Sequence, residues 1–584
     1  MIYEDVDPQL LAFLHNPMAN TTALPPAGKR LNWRSRMLYK IPALRRLICP
    51  EQVQSILWEK LQANLEQARQ SLPQYLFEDN TPLNPNTVHR FTDQLSRYFR
   101  IEVAPAGHGV SSAPGSDTYA DFSKAYTWAA LEYTCNRIAE NLQLRAVHNL
   151  SILKNANLWL CYYLSEIYFL IGHELLTARL VGSTLHIVPT AKLQRRIKGY
   201  WLAEVTEANS KISDTRTLYD MAELLQKHGR LNPDLRGLLI SQTLDKCLSI
   251  HSEYLSAAMT RHPKYHYLRE IVDFAVHLEL RVMLGERTTE EAYLRTIVSP
   301  ATVDMINSAL AGRAPTLDSA SSFIEYKGGM YVRGALNFKY GLRKFVRYLL
   351  GTATVNGKEA DFGQLLGAGF EKDYVLNYIR KLNDPRLEVF GEFKPGNNAK
   401  VKGYDIDLIV RDVEEDIYYF IQVKYQLSEI PTYLSEQCQL FLNANFRTGF
   451  VRQLAVLRDN ICDESIRQKL SQHGLAGAHA GNSHFVLLHN IPFLNFYELD
   501  GIFFYEWNLL RNILRDGRVQ VRKDQHITEE RVLSKPRMHR PQEMVDAYFN
   551  QSQSGTQMTE HYDVYCRANT RFVFDELDVI CKLL

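Results

Sequence analysis

The spacing of apolar residues changes near residue 312, and this change constrains the fold more than any other feature of the chain. Before it, long segments such as 51–72, 118–144 and 234–259 place apolar residues at helical intervals. A linker with Gly, Pro and Ser occupies 312–322, and beyond it short β-like runs alternate with helical segments. We therefore expect a multidomain protein, with a mainly α-helical N-terminal region followed by a C-terminal α/β domain.

The division near residue 312 and the local composition predict four segments. They are a basic N-terminal segment at 1–50, an α-helical domain for recognition or assembly at 51–312, an α/β domain at 323–534 and a C-terminal extension at 535–584. Over all 584 residues, 67 Lys and Arg stand against 65 Asp and Glu, which gives a net charge of +2. Such a balance excludes a simple polycationic binder, so any nucleic-acid surface must come from local clusters.

Cysteine usage and hydropathy indicate the compartment. The eight cysteines are scattered and none forms a C-x-x-C pair, which argues against a zinc ribbon or a secreted disulfide framework. The most apolar stretch, 158–180, contains Glu166, Glu174 and Arg179, so it predicts a buried helix rather than a membrane span. The acidic N-terminus does not resemble a signal peptide. We expect a cytoplasmic protein without a membrane partner.

The C-terminal domain has an informative predicted order of elements. A helix at 369–382 precedes strands at 387–394, 405–410 and 417–425, and a helix at 446–461 precedes a strand at 483–490. Residues 323–332 predict a hairpin that turns at Gly328 and Gly329. The C-terminal domain therefore reads as a helix, three antiparallel strands, a second helix and a fourth strand.

The hairpin 405–425 brings chemically useful side chains together. Side chains alternate across a strand, so Asp405 and Asp407 share one face. A turn centred between residues 414 and 415 places Asp407 opposite Gln422 and Asp405 opposite Lys424. A carboxylate, an amide oxygen and an ammonium group then meet, which suits a hard divalent cation such as Mg²⁺ beside a phosphate.

The same residues carry a family resemblance. The strings GYDIDLIV at 403–410 and YYFIQVKY at 418–425 resemble the PD-(D/E)xK nuclease superfamily, which has the restriction-endonuclease-like fold. The resemblance covers roughly residues 360–490, and its motif is an acid on the second strand and (D/E/Q)-x-K on the third. Asp407 matches the acid, and Gln422-Val423-Lys424 matches the tripeptide. Further matches are Glu371 in the pattern Gly367-Ala368-Gly369-Phe370-Glu371, and Gly449, Gln453 and Leu454 on the helix after the tripeptide.

This resemblance implies a metal-dependent DNA endonuclease that hydrolyses phosphodiester bonds. Asp407, Gln422, the carbonyl of Val423 and Glu371 would hold Mg²⁺ or Mn²⁺, and Lys424 would position the nucleophile. Gln453 would support the site, toward DNA or toward Lys424. Gln422 replaces the commoner acid, and Asp405 either supplies the missing charge or only pairs with Lys424.

The architecture also resembles bacterial restriction or anti-phage effectors. No Walker A string occurs in the sequence, so ATP-driven translocation would need a separate ATPase subunit. We further expect a homo-oligomer.

Two basic regions are candidate nucleic-acid contacts. Residues 29–46 contain seven basic residues and no acid, with Trp33 and Tyr39 interleaved. The alternative for this segment is a surface that packs on acidic neighbours. The turn 394–403 also lacks acidic residues. The candidate contacts are Lys29, Arg30, Arg34, Arg36, Lys394, Lys400 and Lys402.

Two other functions are compatible with the sequence. A catalytically silent nuclease fold could act as a DNA-binding or assembly module, and Gln422 favours this reading. Arg261 and His266 spell the R-x4-H pattern of HEPN-type ribonucleases, within a region predicted to be helical.

Overall fold

The structure, a computed structural model, describes most of the chain. The described residues are 8–19, 32–75, 98–103, 132–144, 150–194, 197–250, 255, 260–311, 322–352, 362–427, 434–436, 451–491, 495–516, 518–523, 526–531, 537–551 and 562–582. Among them, no helix is both long enough and apolar enough to cross a membrane.

Helices dominate the N-terminal half and recur between the later strands. The predicted helix at 51–72 is confirmed as Pro50–Ser71, where Pro50 occupies the first turn. The helices span Pro8–His15, Trp33–Lys40, Pro50–Ser71, Ala156–Gly172, Ala191–Gln194, Ile197–His228, Pro233–Leu248, Pro263–Met283, Glu291–Leu294, Pro300–Ala311, Phe338–Thr352, Phe362–Gly369, Asn377–Lys381, Arg452–Asn460, Glu464–Gln472, Trp507–Asp516 and Pro541–Gln551. Residues 132–141 are also helical. Short 3₁₀ turns span Pro42–Leu47, Leu72–Tyr75 and Leu150–Lys154.

The strands form four sheets among the described residues. In chain order they are β1 Phe99–Val103, β2 Leu176–Val181, β3 Thr184–Pro189, β4 Thr288–Glu290, β5 Ile324–Lys327, β6 Met330–Arg333, β7 Leu387–Phe390, β8 Leu408–Asp412, β9 Ile417–Lys424, β10 Ser483–His489, β11 Tyr497–Leu499, β12 Ile502–Glu506, β13 Arg518–Lys523, β14 His526–Arg531, β15 Ala568–Val573 and β16 Asp578–Lys582. The sheet orders are β1-β15-β16-β3-β2, β4-β6-β5, β11-β12-β10-β9-β8-β7 and β13-β14.

The sequence predicted one buried helix over 158–180, but the structure has a helix followed by a strand. The helix ends at Gly172, and β2 begins at Leu176. Along β2, buried residues alternate with exposed ones, which is the period of a half-buried strand rather than of a helix. The N-terminal region therefore contributes strands as well as helices.

Strand pairing crosses the predicted segment boundaries. β15 and β16, from the C-terminal extension, pair with β1 and β3 in one five-stranded sheet. β4 pairs with β6 across the predicted boundary at 312–323. Strand pairing between distant segments leaves no local signal in the sequence, so the boundaries followed composition alone.

The six-stranded sheet carries the elements that were predicted for the C-terminal domain. β7, β8 and β9 are antiparallel neighbours, and β9, β10 and β12 run parallel. The order of elements, a helix, three strands, a helix region and a fourth strand, is as predicted. The hairpin β5–β6 is also confirmed, with positive φ angles at Gly328 and Gly329 that suit a tight turn.

β9 and β10 are buried on both faces, and one face leads to the candidate site. Phe420 and Phe485 are partners in register, and their rings stack 5.5 Å apart. Gln422 and Lys424 follow on the same face toward the carboxyl end of β9, where the apolar core gives way to polar side chains.

Candidate active site

The predicted register of the hairpin β8–β9 is confirmed. Leu408 pairs with Ile421 and Ile409 with Phe420, so Asp407 continues the ladder opposite Gln422. The backbone N–H of Asp407 donates to the carbonyl of Ile421 at 3.0 Å. Asp407 thus lies directly before β8, fixed by the first rung of the ladder.

Asp407 is a buried carboxylate with unusual electrostatics. It is 3% exposed, and its Oδ2 accepts a hydrogen bond from the N–H of Val423 at 2.8 Å. Lys424 Nζ lies 4.0 Å from the same oxygen. Burial raises the pKa of Asp407 to about 7, against the opposing effects of Lys424 and the Val423 N–H, and Glu371 and Asp405 raise it further. The folded chain therefore holds an ionised Asp407 at a considerable cost.

Gln422 presents an amide oxygen without a hydrogen-bond donor. The side chain is fully buried, and its Nε2 donates to the carbonyl of Asp405 at 3.0 Å and to Gln453 Oε1. Because both N–H groups are used, the orientation of the amide is fixed. Gln422 Oε1 is buried and accepts no hydrogen bond from the described residues. Such an unsatisfied acceptor costs about 1–3 kcal/mol, and it leaves the amide oxygen able to bind a ligand.

Gln453 contacts Gln422, which the sequence did not predict. It was expected to face DNA or Lys424, but its Oε1 accepts the hydrogen bond from Gln422. Gln453 belongs to the helix Arg452–Asn460, whose Leu454 is buried, whereas Gly449 lies outside the described residues. This contact helps to fix the orientation of the Gln422 amide.

Glu371 lies on a π-helix, Phe370–Leu376, between two α-helical segments. Such turns are rare and often occur at functional sites. Burial raises the pKa of Glu371, and the nearby Lys424 lowers it. The flanking side chains hold this turn, because Phe370 packs on the ring of Tyr425 at 5.4 Å and Tyr374 donates to Asn508 Oδ1. Glu371 is thereby placed within electrostatic reach of Asp407 and Lys424.

Asp405 forms an ion pair with Lys394. Its Oδ1 lies 3.3 Å from Lys394 Nζ, and Lys394 also lies 3.1 Å from Glu392. Lys394, predicted as a nucleic-acid contact, is thus already engaged by two carboxylates at the edge of the site. Lys400 and Lys402 are exposed on the following turn.

Several residues that position Lys424 were not identified from the sequence. Asn490 closes the end of β9, because its Oδ1 accepts from the N–H of Gln426 at 2.8 Å and its Nδ2 donates to the carbonyl of Gln426 at 2.7 Å. His489 is the register partner of Lys424 on β10. Tyr425 donates its hydroxyl to the carbonyl of Leu248 at 2.9 Å. No motif signals these residues, since only the parallel pairing of distant strands brings them to the site.

Hydrogen bonds also connect the chain beyond Lys424 to the N-terminal region. Glu166 is buried in the helix Ala156–Gly172 and accepts hydrogen bonds from the N–H of Ser435, at 3.0 Å, and from its hydroxyl. Arg137 lies 4.0 Å from Glu166. Burial raises the pKa of Glu166, while Arg137 and Ser435 oppose that effect. The chain after β9 is therefore joined to the helix Ala156–Gly172 through Ser435.

The remaining predicted residues lie elsewhere or outside the described part of the chain. Arg34 and Arg36 are exposed on the helix Trp33–Lys40, and Lys29 and Arg30 fall outside the described residues. Arg261 and His266 are both exposed at the start of the helix Pro263–Met283, where His266 Nε2 lies 3.5 Å from Glu270 Oε1.

The donor set of the site suits a hard divalent cation. Among the described residues, no group of three or more His, Cys, Asp or Glu side chains could hold a metal ion. Mg²⁺, however, needs only one or two carboxylates, with other oxygens and water completing its shell. Asp407 and Glu371, both with raised pKa values, and the orphaned Oε1 of Gln422 are donors of this kind. Val423 contributes its N–H to Asp407, and a role for its carbonyl remains a prediction.

Comparisons of the chain with protein-family models, with curated proteins and with solved structures gave no significant match to any of them.

Proposed function

We propose that the chain is a Mg²⁺-dependent nuclease that hydrolyses phosphodiester bonds in DNA, with its active site at the start of β8 and the end of β9. One observation carries the proposal: the buried Oε1 of Gln422 has no hydrogen-bond donor among the described residues, and at the start of the neighbouring strand the buried Asp407 lies 4.0 Å from Lys424 Nζ. This combination is costly for the folded protein and useful for binding a cation next to a phosphate.

Each residue has a distinct role in this proposal. Asp407, Glu371 and the Oε1 of Gln422 would hold Mg²⁺ or Mn²⁺, which when bound polarises a phosphate and acidifies water. Lys424 would donate hydrogen bonds to a phosphate oxygen or to the attacking water. Gln453 and the carbonyl of Asp405 keep the Gln422 oxygen directed into the site.

The choice of DNA as substrate rests on the resemblance to PD-(D/E)xK nucleases. The order of elements around β7–β10 and the positions of Asp407 and Lys424 on neighbouring strands support it. A role as a cytoplasmic restriction or anti-phage effector, a homo-oligomer that works with a separate ATPase, is part of the same proposal.

The test is cleavage of supercoiled plasmid DNA and of RNA by the purified chain, in Mg²⁺, in Mn²⁺ and in EDTA. We expect DNA nicking that requires a metal ion and is lost in Asp407→Ala and Lys424→Ala. Asp412→Asn changes a buried carboxylate at the far end of β8, away from Lys424, so it is the matched control and keeps activity.

Two outcomes would replace the proposal. DNA binding without cleavage would favour a silent nuclease fold, whereas metal-independent RNA cleavage that is lost in His266→Ala would favour the HEPN-type alternative.

A further inference from the structure

A stripe of exposed apolar side chains follows the helix Trp33–Lys40 and the 3₁₀ turn Pro42–Leu47. Trp33 is 79% exposed, Met37 56%, Ile41 47% and Leu47 61%. Trp33 and Met37 are spaced four residues apart and therefore lie along one side of the helix, and Ile41 follows directly as its C-cap residue. Large apolar residues are seldom this exposed in succession unless the surface binds something.

Basic side chains border this stripe on both sides. With 3.6 residues per turn, Arg36 and Lys40 fall on one flank of the line from Trp33 to Met37, and Arg34 falls on the other. All three are exposed, and none has an ion-pair partner among the described residues. The stretch 29–46 contains no acidic residue. The surface is therefore complementary to a polyanion that also offers flat apolar groups.

The surface is held in place from beneath. Asn32 caps the helix, accepting from the N–H of Ser35 at 2.8 Å, and its own N–H donates to Gln52 Oε1 at 3.0 Å. Arg45 is used structurally, since its Nη1 donates to the carbonyl of Gly182 at 2.6 Å in the turn between β2 and β3. The exposed face is thus presented on an anchored element, which reduces the entropy lost on binding.

We propose that this surface, Trp33–Leu47, binds single-stranded or locally unpaired nucleic acid at a site separate from the cleavage site. Unpaired bases stack on aromatic rings and on guanidinium planes, and phosphates pair with arginine forks. The bases of a duplex are stacked inside the helix. Its phosphates would therefore pair with the basic side chains, but its bases would not contact Trp33 and Met37. The inference rests on the proposed function, because it names the form of nucleic acid that the nuclease would engage.

The test is binding of a fluorescent dT20 oligonucleotide and of a 20-base-pair duplex to the full chain in EDTA, followed by anisotropy. Trp33→Ala is expected to weaken dT20 binding about five- to a hundredfold and duplex binding far less, and Trp33→Phe retains most of the affinity. Arg34→Ala with Arg36→Ala weakens both and lowers the single-strand salt slope by about 1.4. Tyr219→Ala, a half-exposed ring on another helix, is the control and leaves binding unchanged.

Equal losses for single strand and duplex in Trp33→Ala, or no loss in either, would overturn the proposal. The proposal would also be overturned if Trp33→Ala bound DNA as well as the wild type but lost binding to phosphatidylserine vesicles. Because binding is measured without a metal ion, a chain that binds dT20 through Trp33 but never cleaves DNA would refute the nuclease and leave this surface standing.

Discussion

Replacing Asp407 by asparagine is expected to stabilise the metal-free protein at alkaline pH. Asparagine has the same shape and keeps an oxygen for the N–H of Val423, which donates at 2.8 Å. It removes a carboxylate that is 3% exposed and whose charge is opposed by burial and by Glu371. Replacing a carboxylate that serves only the fold would not stabilise the protein. A gain in stability would therefore indicate that Asp407 is retained for function.

The magnitude follows from the pKa of Asp407, which is about 7 in the folded chain against an ordinary value of 3.8. Between these values the folded state binds more protons than the unfolded state, so the free energy of unfolding falls as the pH rises. The penalty is absent below the unfolded pKa and complete above the folded one. At about 1.4 kcal/mol for each tenfold change in acidity, it reaches at most about 4 kcal/mol.

The assay is urea unfolding of the wild type and of Asp407→Asn in EDTA at pH 5 and at pH 8. Other groups titrate in this range, so the quantity of interest is the difference between the two proteins at each pH. We expect the variant to gain stability relative to the wild type between pH 5 and pH 8. Saturating Mg²⁺ at pH 8 should stabilise the wild type and not the variant, because only the wild type retains the carboxylate.

The control is Asp412→Asn, at the far end of the same strand. Asp412 accepts from the N–H of Glu414 at 3.1 Å and lies 3.8 Å from Arg386, so its neutralisation should destabilise the chain. A stability difference between Asp407→Asn and wild type that is the same at both pH values, or that favours the wild type at pH 8, would refute the reasoning.

Three further predictions concern the residues around the site. Gln453→Leu leaves an N–H of Gln422 unpaired, at a cost of about 1–3 kcal/mol, and raises the Mg²⁺ concentration needed for half-maximal plasmid cleavage, whereas Gln453→Glu keeps the acceptor and shifts it less. Asn490→Ala removes two hydrogen bonds to Gln426 and loosens the chain after Lys424, so single-turnover cleavage rates fall more than DNA affinity. An unchanged rate would contradict a role for Asn490 in positioning Lys424. Glu166→Ala strands Arg137 without its carboxylate and lowers urea stability by about 3 kcal/mol, while Glu166→Gln loses less, and equal losses would contradict a role for the charge.

The hairpin of the candidate site could be predicted from the sequence because its information is local. A short polar turn and strict alternation determine which residues face each other, and the observed pairing of Leu408 with Ile421 agrees. The order of helices and strands around it follows from the periodicity of short segments in the same way. Asp407 and Gln422 could therefore be placed together before the structure was known.

What the sequence could not provide depends on contacts between distant segments. β1 pairs with β15, whose residues come more than four hundred positions later, so the five-stranded sheet has no local signature. The contacts of Gln453 with Gln422 and of Asp405 with Lys394 were not predicted, because strand geometry gives the face of a side chain but not which neighbour its end reaches. Asn490 was missed because its role depends on the parallel pairing of β9 with β10.

The most direct test of the nuclease proposal is the single-turnover cleavage rate of a labelled DNA duplex in Mg²⁺ for the wild type, Asp407→Asn and Lys424→Ala. Circular dichroism would establish that all three are folded. The proposal predicts cleavage by the wild type that stops in EDTA, and rates lower by roughly a hundredfold or more in both variants. Cleavage by the variants at the wild-type rate, or a folded wild type that cleaves no DNA in Mg²⁺ or Mn²⁺, would contradict it.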